Sequence, residues 1–116
     1  MTRDSVIVID EMLSMIDFIE ISMSDKTQSD FQQDMMLRLA VERAIEIVSE
    51  ASRHLPTDLL AREREIPWNS IRGMGNVLRH EYHRVASEVI LDVITGDLPP
   101  LKAALLRLNK DGQTAD

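Results

Sequence analysis

The chain has 116 residues, no cysteine and a formal net charge of −7. This length suits one domain with a single hydrophobic core, and the lack of cysteine excludes disulfides and thiolate metal sites. No window is apolar for long enough to form a signal peptide or a membrane span, so we expect a cytoplasmic protein. Aromatic residues make up only 3% of the chain and seven residues are Met, which favours a helical bundle over a β-sandwich.

The first half of the chain has the apolar spacing of two helices. Apolar residues three and four positions apart, with acidic residues among them, predict an amphipathic helix over residues 2–23. A turn follows, in which Thr27 or Ser29 can cap the next helix. We predict that this second helix is the longest, covers residues 28–54 and ends before Pro56, because the residue preceding a proline disfavours the helical conformation.

The second half begins with a short helical stretch, predicted over residues 56–62. Pro67 then opens a new element, with Asn69 or Ser70 as its N-cap. Helical spacing continues from there over residues 71–95, with a bend expected near residues 82–84.

The end of the chain contains the strongest break signal. Gly96 is followed closely by two prolines, which predicts the end of a helix. A last short helix is predicted over residues 101–108, and residues 110–116 are predicted to form a frayed, flexible tail. No strand-like alternation is found, so we predict an all-α fold, an antiparallel four-helix bundle with short extra helices, forming one domain over residues 1–109.

The charge is distributed unevenly, and one segment is cationic. Residues 1–60 contain 5 basic and 12 acidic side chains, and residues 85–116 contain 3 basic and 5 acidic ones. Residues 61–84 contain five Arg and three Glu, together with two of the three His, the only Tyr and the only Trp. A cationic segment on an acidic chain indicates that the protein handles an anion there.

Helical spacing places several polar side chains of this segment on one surface. Arg72, Asn76 and His80 follow one another at four-residue intervals, Arg79 lies one turn from Asn76, and His83 lies four residues beyond Arg79. Arginine binds phosphate through paired hydrogen bonds, and imidazole titrates near neutrality. The set is therefore sufficient for metal-free cleavage of RNA, in which the 2′-hydroxyl attacks the phosphate, arginine stabilises the charge and histidine moves the proton.

Less specific interpretations also fit these residues. Arg and His are common on solvated helix surfaces, so the spacing alone favours an exposed or ion-paired face. A zinc site is not predicted, because His80 and His83 lack an identifiable third ligand. Gly73 and Gly75 each cost roughly 1 kcal/mol inside a helix relative to alanine. Either the helix begins after these glycines or another backbone approaches closely there.

Several segments resemble the HepT-like HEPN family. These segments are Leu39–Ala51, Ile66-Pro-Trp68, the sequence from Gly75 to Tyr82, and Leu91–Leu101. The resemblance covers most of the chain and implies a helical-bundle homodimer that acts as the RNase toxin of a toxin–antitoxin pair. It also implies a minimal nucleotidyltransferase antitoxin as the partner, which in some pairs adenylylates the tyrosine of the motif and silences the toxin.

The family motif consists of an arginine, four to six residues, a histidine, one residue and a tyrosine. The resemblance matches its histidine with His80, its modified tyrosine with Tyr82, and the polar residue that follows its arginine with Asn76. Gly75 occupies the position of the arginine itself. Two replacements stay open: Arg72, one turn before Asn76, and Arg79 from a second subunit.

Three hypotheses for the function result. In the first, the chain is a metal-independent endoribonuclease toxin without a cofactor, with His80 as acid and base, Arg72 and Arg79 as phosphate ligands, and Asn76 as an orienting amide. In the second, favoured by Gly75, it is a catalytically inactive nucleotide- or RNA-binding subunit that partners a minimal nucleotidyltransferase. In the third, it is a structural helical dimer whose charged face is incidental.

Overall fold

The computed structural model of the chain describes residues 1–81 and 87–114, with side chains for residues 1–79 and 87–110. All regular elements within these ranges are helical, which confirms the predicted all-α class. The helices are α1 (Arg3–Met23), α2 (Gln28–Gln33), α3 (Met35–Ser52), α4 (Thr57–Arg62), α5 (Trp68–Glu81), α6 (Ser87–Asp92) and α7 (Leu98–Thr114), with a π-helical turn at Val93–Asp97.

The hydrophobic core lies mainly among the long helices α1, α3 and α7, and α5 packs against α3 and adds its buried residues to the same core. Lys102 of α7 pairs with Glu20 of α1, and Asn109 of α7 bonds to Asp10 of α1, so these two helices are antiparallel. The fully buried side chains of the core come from all three helices and include Ile9, Met12, Ile16, Ile19, Val41, Val48, Leu101, Leu105 and Leu108. The three- and four-residue apolar spacing in the sequence corresponds to these inward faces.

The prediction of one continuous helix over residues 28–54 was wrong. The chain breaks at Asp34, whose extended backbone ends α2 and whose side chain accepts a hydrogen bond from the amide of Leu37 at 3.0 Å to start α3. An aspartate in this role satisfies an amide that has no partner within the helix. The cap predicted at Thr27 is confirmed. The Thr27 hydroxyl accepts a hydrogen bond from the backbone amide of Asp30, and the Asp30 carboxylate accepts one from the backbone amide of Thr27.

The predicted break at Gly96 and the prolines was also wrong. The π-helical turn runs through Gly96, and α7 starts directly afterwards at Leu98. Pro99 and Pro100 lie in the first turn of α7, where a residue without an amide proton loses no helical hydrogen bond. The helix continues to Thr114, so it includes part of the segment predicted as a tail. The flexibility of that segment stays a prediction.

The short connection between α4 and α5 is fixed by Trp68. Its indole Nε1 donates to the backbone oxygens of Leu60 at 3.2 Å and Glu63 at 3.0 Å, and the residue is only 8% exposed. A buried indole that finds acceptors for its N–H both fills space and fixes a chain direction. Trp68 thereby determines where α5 begins, one to two residues before the predicted caps Asn69 and Ser70. No helix in the described ranges is long and apolar enough to cross a membrane.

Candidate active site

Residues 68–81 of the cationic segment form α5, and the described site residues of this helix lie at or near the surface of the bundle. Ile71 and Leu78 are buried against the core, whereas Asn76 and Arg79 are exposed and Arg72 is half-buried. His80 belongs to the same helix, but its side chain lies outside the described atoms. Tyr82 and His83 lie outside the described residues, and so does the bend predicted near residues 82–84.

Gly75 lies at a close contact between α5 and α3. The Ser49 hydroxyl accepts a hydrogen bond from the Gly75 amide at 2.9 Å and donates one to the Arg72 carbonyl at 3.1 Å. A Cβ at Gly75 would lie 3.1 Å from the Ser49 Oγ and 3.2 Å from its Cβ. Of the two explanations for the glycines, close approach of another element is therefore confirmed at Gly75, and that element is α3 of the same chain.

Arg53, which the sequence did not single out, is a second link between α3 and α5. Its guanidinium donates to the Arg72 carbonyl through Nε at 3.2 Å and Nη2 at 3.0 Å. Arg53, Asn69, Arg72 and Gly73 line a surface pocket of about 400 Å³. Since Arg53 and Arg72 are 19 residues apart, no local pattern in the sequence connects them.

Arg79 lines a different pocket, of about 440 Å³, on the N-terminal half of α3. Glu42 and Glu46 also line it, and each of these carboxylates has an arginine on its own helix: Arg38 lies 3.8 Å from Glu42 and Arg43 lies 3.6 Å from Glu46. Burial raises the pKa of the Glu42 carboxyl above its usual range, and Arg38 opposes this shift. The pocket is thus of mixed charge.

Arg72 and Arg79 share one stripe of α5 but do not meet in one pocket. Seven residues separate them, which corresponds to about 10 Å along a helix axis. Asn76 lies between them and is exposed. Neither arginine forms an ion pair within the described ranges. In the same ranges no group of three or more His, Asp or Glu side chains could hold a metal ion.

Sequence comparison identifies the family of the chain. The HepT-like ribonuclease family matches residues 12–108. The chain belongs to this family. Membership supports a ribonuclease-type function, and it confirms the resemblance inferred from the residues around Gly75 and His80. No solved structure gave a significant match.

Relatives in archaea carry related names. A protein of Thermococcus cleftensis named "Probable ribonuclease HepT" is 32% identical over 102 residues, which is 88% of this chain and 93% of the relative. A Methanocaldococcus jannaschii protein named "Gamma-glutamylcyclotransferase and putative RNase" is 32% identical over 111 residues, or 96% of this chain. That match spans only 50% of the relative, so this chain corresponds to half of it.

Proposed function

We propose that the chain is a cytoplasmic, metal-independent endoribonuclease and the toxin of a toxin–antitoxin pair. The observation that carries the proposal is a stripe of α5 on which Arg72 is half-buried and Asn76 and Arg79 are exposed. The chain belongs to the HepT-like ribonuclease family, and its sequence continues from Arg79 with His80 and, two residues later, Tyr82. The overall charge of −7 makes this cationic surface the natural place for a polyanion to bind.

The chemistry requires no group beyond these side chains. His80 takes the proton of an RNA 2′-hydroxyl, whose oxygen then attacks the neighbouring phosphorus. The bond from phosphorus to the 5′-oxygen breaks, the proton returns to that oxygen, and the products are a 2′,3′-cyclic phosphate and a 5′-hydroxyl. Arg72 and Arg79 bind RNA phosphates and stabilise their charge, and Asn76 orients the RNA through its amide.

Arg79 is the stronger replacement for the arginine that Gly75 displaces. It is exposed, has no ion-pair partner within the described ranges and lies beside His80 in sequence. Successive positions on a helix are rotated by about 100°, which favours an arginine and a histidine from two different copies over direct neighbours on one helix. We therefore propose that Arg79 serves the His80 of a second copy in a homodimer.

The proposed homodimer is supported by exposed apolar side chains on α3 and α5. Met35, Met36 and Leu39 are 72%, 83% and 56% exposed at the start of α3. Val77 on α5 is 47% exposed, and it lines an entirely apolar pocket of about 210 Å³. Exposed apolar side chains grouped on a protein surface are typical of protein interfaces, so we propose that these two groups take part in the dimer contact.

Regulation would act through Tyr82, the proposed target of a minimal nucleotidyltransferase antitoxin. An adenylyl group on Tyr82, two residues after His80, would add bulk and a negative charge beside the arginines. This charge would compete with RNA phosphate for the same guanidinium groups. Mass spectrometry of protein produced together with its partner tests this point, and a modification on another residue would contradict it.

A second candidate function is favoured by the packing at Gly75. Because the Ser49 side chain occupies the space beside Gly75, the usual arginine position is filled by α3. Such a chain would bind RNA or a nucleotide without turnover and serve as a subunit for a nucleotidyltransferase. Binding of RNA or ATP with no cleavage would support this alternative.

The deciding experiment is RNA cleavage in EDTA. The native chain is compared with the His80→Ala and Arg79→Ala variants and with Arg3→Ala, which removes an exposed arginine of α1 outside the site. We expect cleavage by the native chain and by Arg3→Ala, with cyclic-phosphate ends, and its loss in His80→Ala. Absence of cleavage by the folded native chain on every single-stranded RNA tested would refute the nuclease proposal.

A further inference from the structure

We propose that the pocket formed by Arg53, Asn69, Arg72 and Gly73 binds a phosphodiester of single-stranded RNA next to the one that is cleaved. The inference rests on the proposed function, since it extends the RNA path from the His80 region toward the start of α5. It adds Arg53, a residue of α3, to the RNA-binding surface and assigns Arg72 to a phosphate other than the reacting one.

The lining of the pocket suits an anion. Two arginines and one amide surround about 400 Å³ of open space, and no carboxylate is among the lining residues. Gly73 leaves the floor without a side chain, and nothing lies within 4 Å of the place where its Cβ would be. A phosphate can therefore approach the helix backbone at Gly73 while the guanidinium groups flank it.

Arg53 is held in place without losing its charge. Its Nε and Nη2 donate to a neutral carbonyl oxygen, that of Arg72, so the guanidinium is oriented while its remaining N–H groups are available. Other arginines of the described ranges have carboxylate partners instead: Arg107 lies 2.6 Å from Glu63, and Arg43 lies 3.6 Å from Glu46. Because the Arg53 side chain is already ordered, it loses less conformational entropy on binding a phosphate than a freely moving arginine would.

The direction of α5 separates this phosphate from the reacting one. Helical side chains lean toward the N-terminus of their helix, so that of Arg72 leans toward Asn69 and away from His80. The eight residues from Arg72 to His80 correspond to about 12 Å along the axis. The pocket accordingly includes Asn69 and excludes Asn76. Arg72 and Arg53 thus hold a neighbouring phosphate and fix the position of the strand.

The test measures binding without chemistry. The probe is a fluorescein-labelled, 2′-O-methyl RNA decamer, which lacks the attacking hydroxyl and cannot be cleaved by the proposed reaction. Binding is followed by anisotropy at several salt concentrations for the native chain, Arg53→Ala, Arg53→Lys and the control Arg3→Ala. We expect Arg53→Ala to bind about tenfold more weakly at low salt, with a salt slope smaller by about 0.7, the value for one phosphate contact on a single strand.

The lysine variant separates binding from a purely structural role. Arg53→Lys keeps the charge and is expected to keep the native salt slope with a smaller loss of affinity. If Arg53 only joins α3 to α5, Arg53→Ala will melt at a lower temperature yet bind the probe with native affinity and slope when folded. That result would overturn the proposal, and so would an Arg53→Lys variant with the reduced slope of Arg53→Ala.

Although the inference rests on the proposed function, the experiments distinguish failure of the pocket from failure of the nuclease. A native chain that binds the probe through Arg53 but cleaves no RNA would refute the nuclease and leave the pocket standing. A native chain that cleaves RNA, while Arg53→Ala binds the decamer as well as the native chain, would refute the pocket alone. Failure of the native chain to bind the decamer at low salt would overturn the pocket directly.

Discussion

The two glycines of α5 are expected to respond in opposite directions to the same substitution. Gly73→Ala gains the helix propensity of alanine, roughly 0.5–1 kcal/mol, because its new Cβ meets nothing within 4 Å. Gly75→Ala gains the same amount but places its Cβ 3.1 Å from the Ser49 Oγ. Ser49 is 1% exposed and its hydroxyl makes two hydrogen bonds between the helices, so it has little freedom to retreat.

The cost at Gly75 can be worked from these contacts. Displacing the Ser49 hydroxyl by a few tenths of an ångström weakens two hydrogen bonds, each with a net value of about 1 kcal/mol, by about half, which costs about 1 kcal/mol in all. Crowding this packed contact costs about 1–2 kcal/mol more, the low end for overpacking. A total cost of roughly 2–3 kcal/mol, less the propensity gain, leaves Gly75→Ala destabilised by roughly 1–2 kcal/mol. The free energies of unfolding of the two variants should therefore differ by roughly 2–3 kcal/mol, although the substituted positions are only two residues apart.

Equilibrium unfolding in urea gives the free energy of unfolding of both variants. A double-mutant cycle then isolates the contribution of the contact between positions 49 and 75. Ser49→Gly removes both the Oγ and the Cβ that crowd the site, so Gly75→Ala in that background should stabilise the chain as Gly73→Ala does. A coupling energy of roughly 2 kcal/mol is expected. If Gly75→Ala stabilises the otherwise native chain as much as Gly73→Ala, α3 does not restrict this position and the reasoning fails.

Three further predictions concern the site and its surroundings. The double variant Gly75→Arg/Ser49→Gly should cleave RNA in EDTA at least tenfold faster than Gly75→Arg alone, because the Ser49 side chain no longer crowds the new arginine. Equal cleavage rates would show that Ser49 does not obstruct an arginine at position 75. Tyr82→Phe should still cleave RNA, and it should remain toxic even when it is produced with the nucleotidyltransferase partner, because it lacks the hydroxyl that the partner is proposed to modify. Silencing of this variant by the partner would contradict the role of Tyr82. Because burial raises the pKa of Glu42, the folded chain holds that proton more tightly than the unfolded chain, and stability rises as pH falls through the raised pKa. Glu42→Gln should therefore raise the melting temperature near neutral pH by more than at acidic pH, and an equal change at both would refute this explanation.

The sequence predicted helices well where apolar spacing and caps agreed. The extent of α1 and the cap at Thr27 followed from local patterns that the structure satisfies. The break at Asp34 was missed because helical spacing continues through it, while the Asp34 side chain replaces the helical hydrogen bond. The prediction of a helix end at the prolines before Leu101 was wrong because the first turn of a helix tolerates proline.

The candidate site was predictable only in the part that lies on one helix. Spacing placed Arg72, Asn76 and Arg79 on a common face, and all three lie on α5 with Asn76 and Arg79 exposed. Ser49 and Arg53 were not predicted, since they come from α3 and reach α5 only through the packing of the two helices. Their contribution depends on tertiary distances, which local sequence patterns do not contain.

The contact between Ser49 and Gly75 also limits how this chain can change over generations. An arginine that arose at position 75 in a single step would meet the Ser49 side chain and carry its stability cost before offering any advantage. Loss of the Ser49 side chain would have to come first, and by itself it removes two hydrogen bonds between α3 and α5. Each order of events therefore passes through a weakened intermediate. The two positions, 26 residues apart, are therefore coupled through stability, and an arginine at position 75 requires a second change at Ser49.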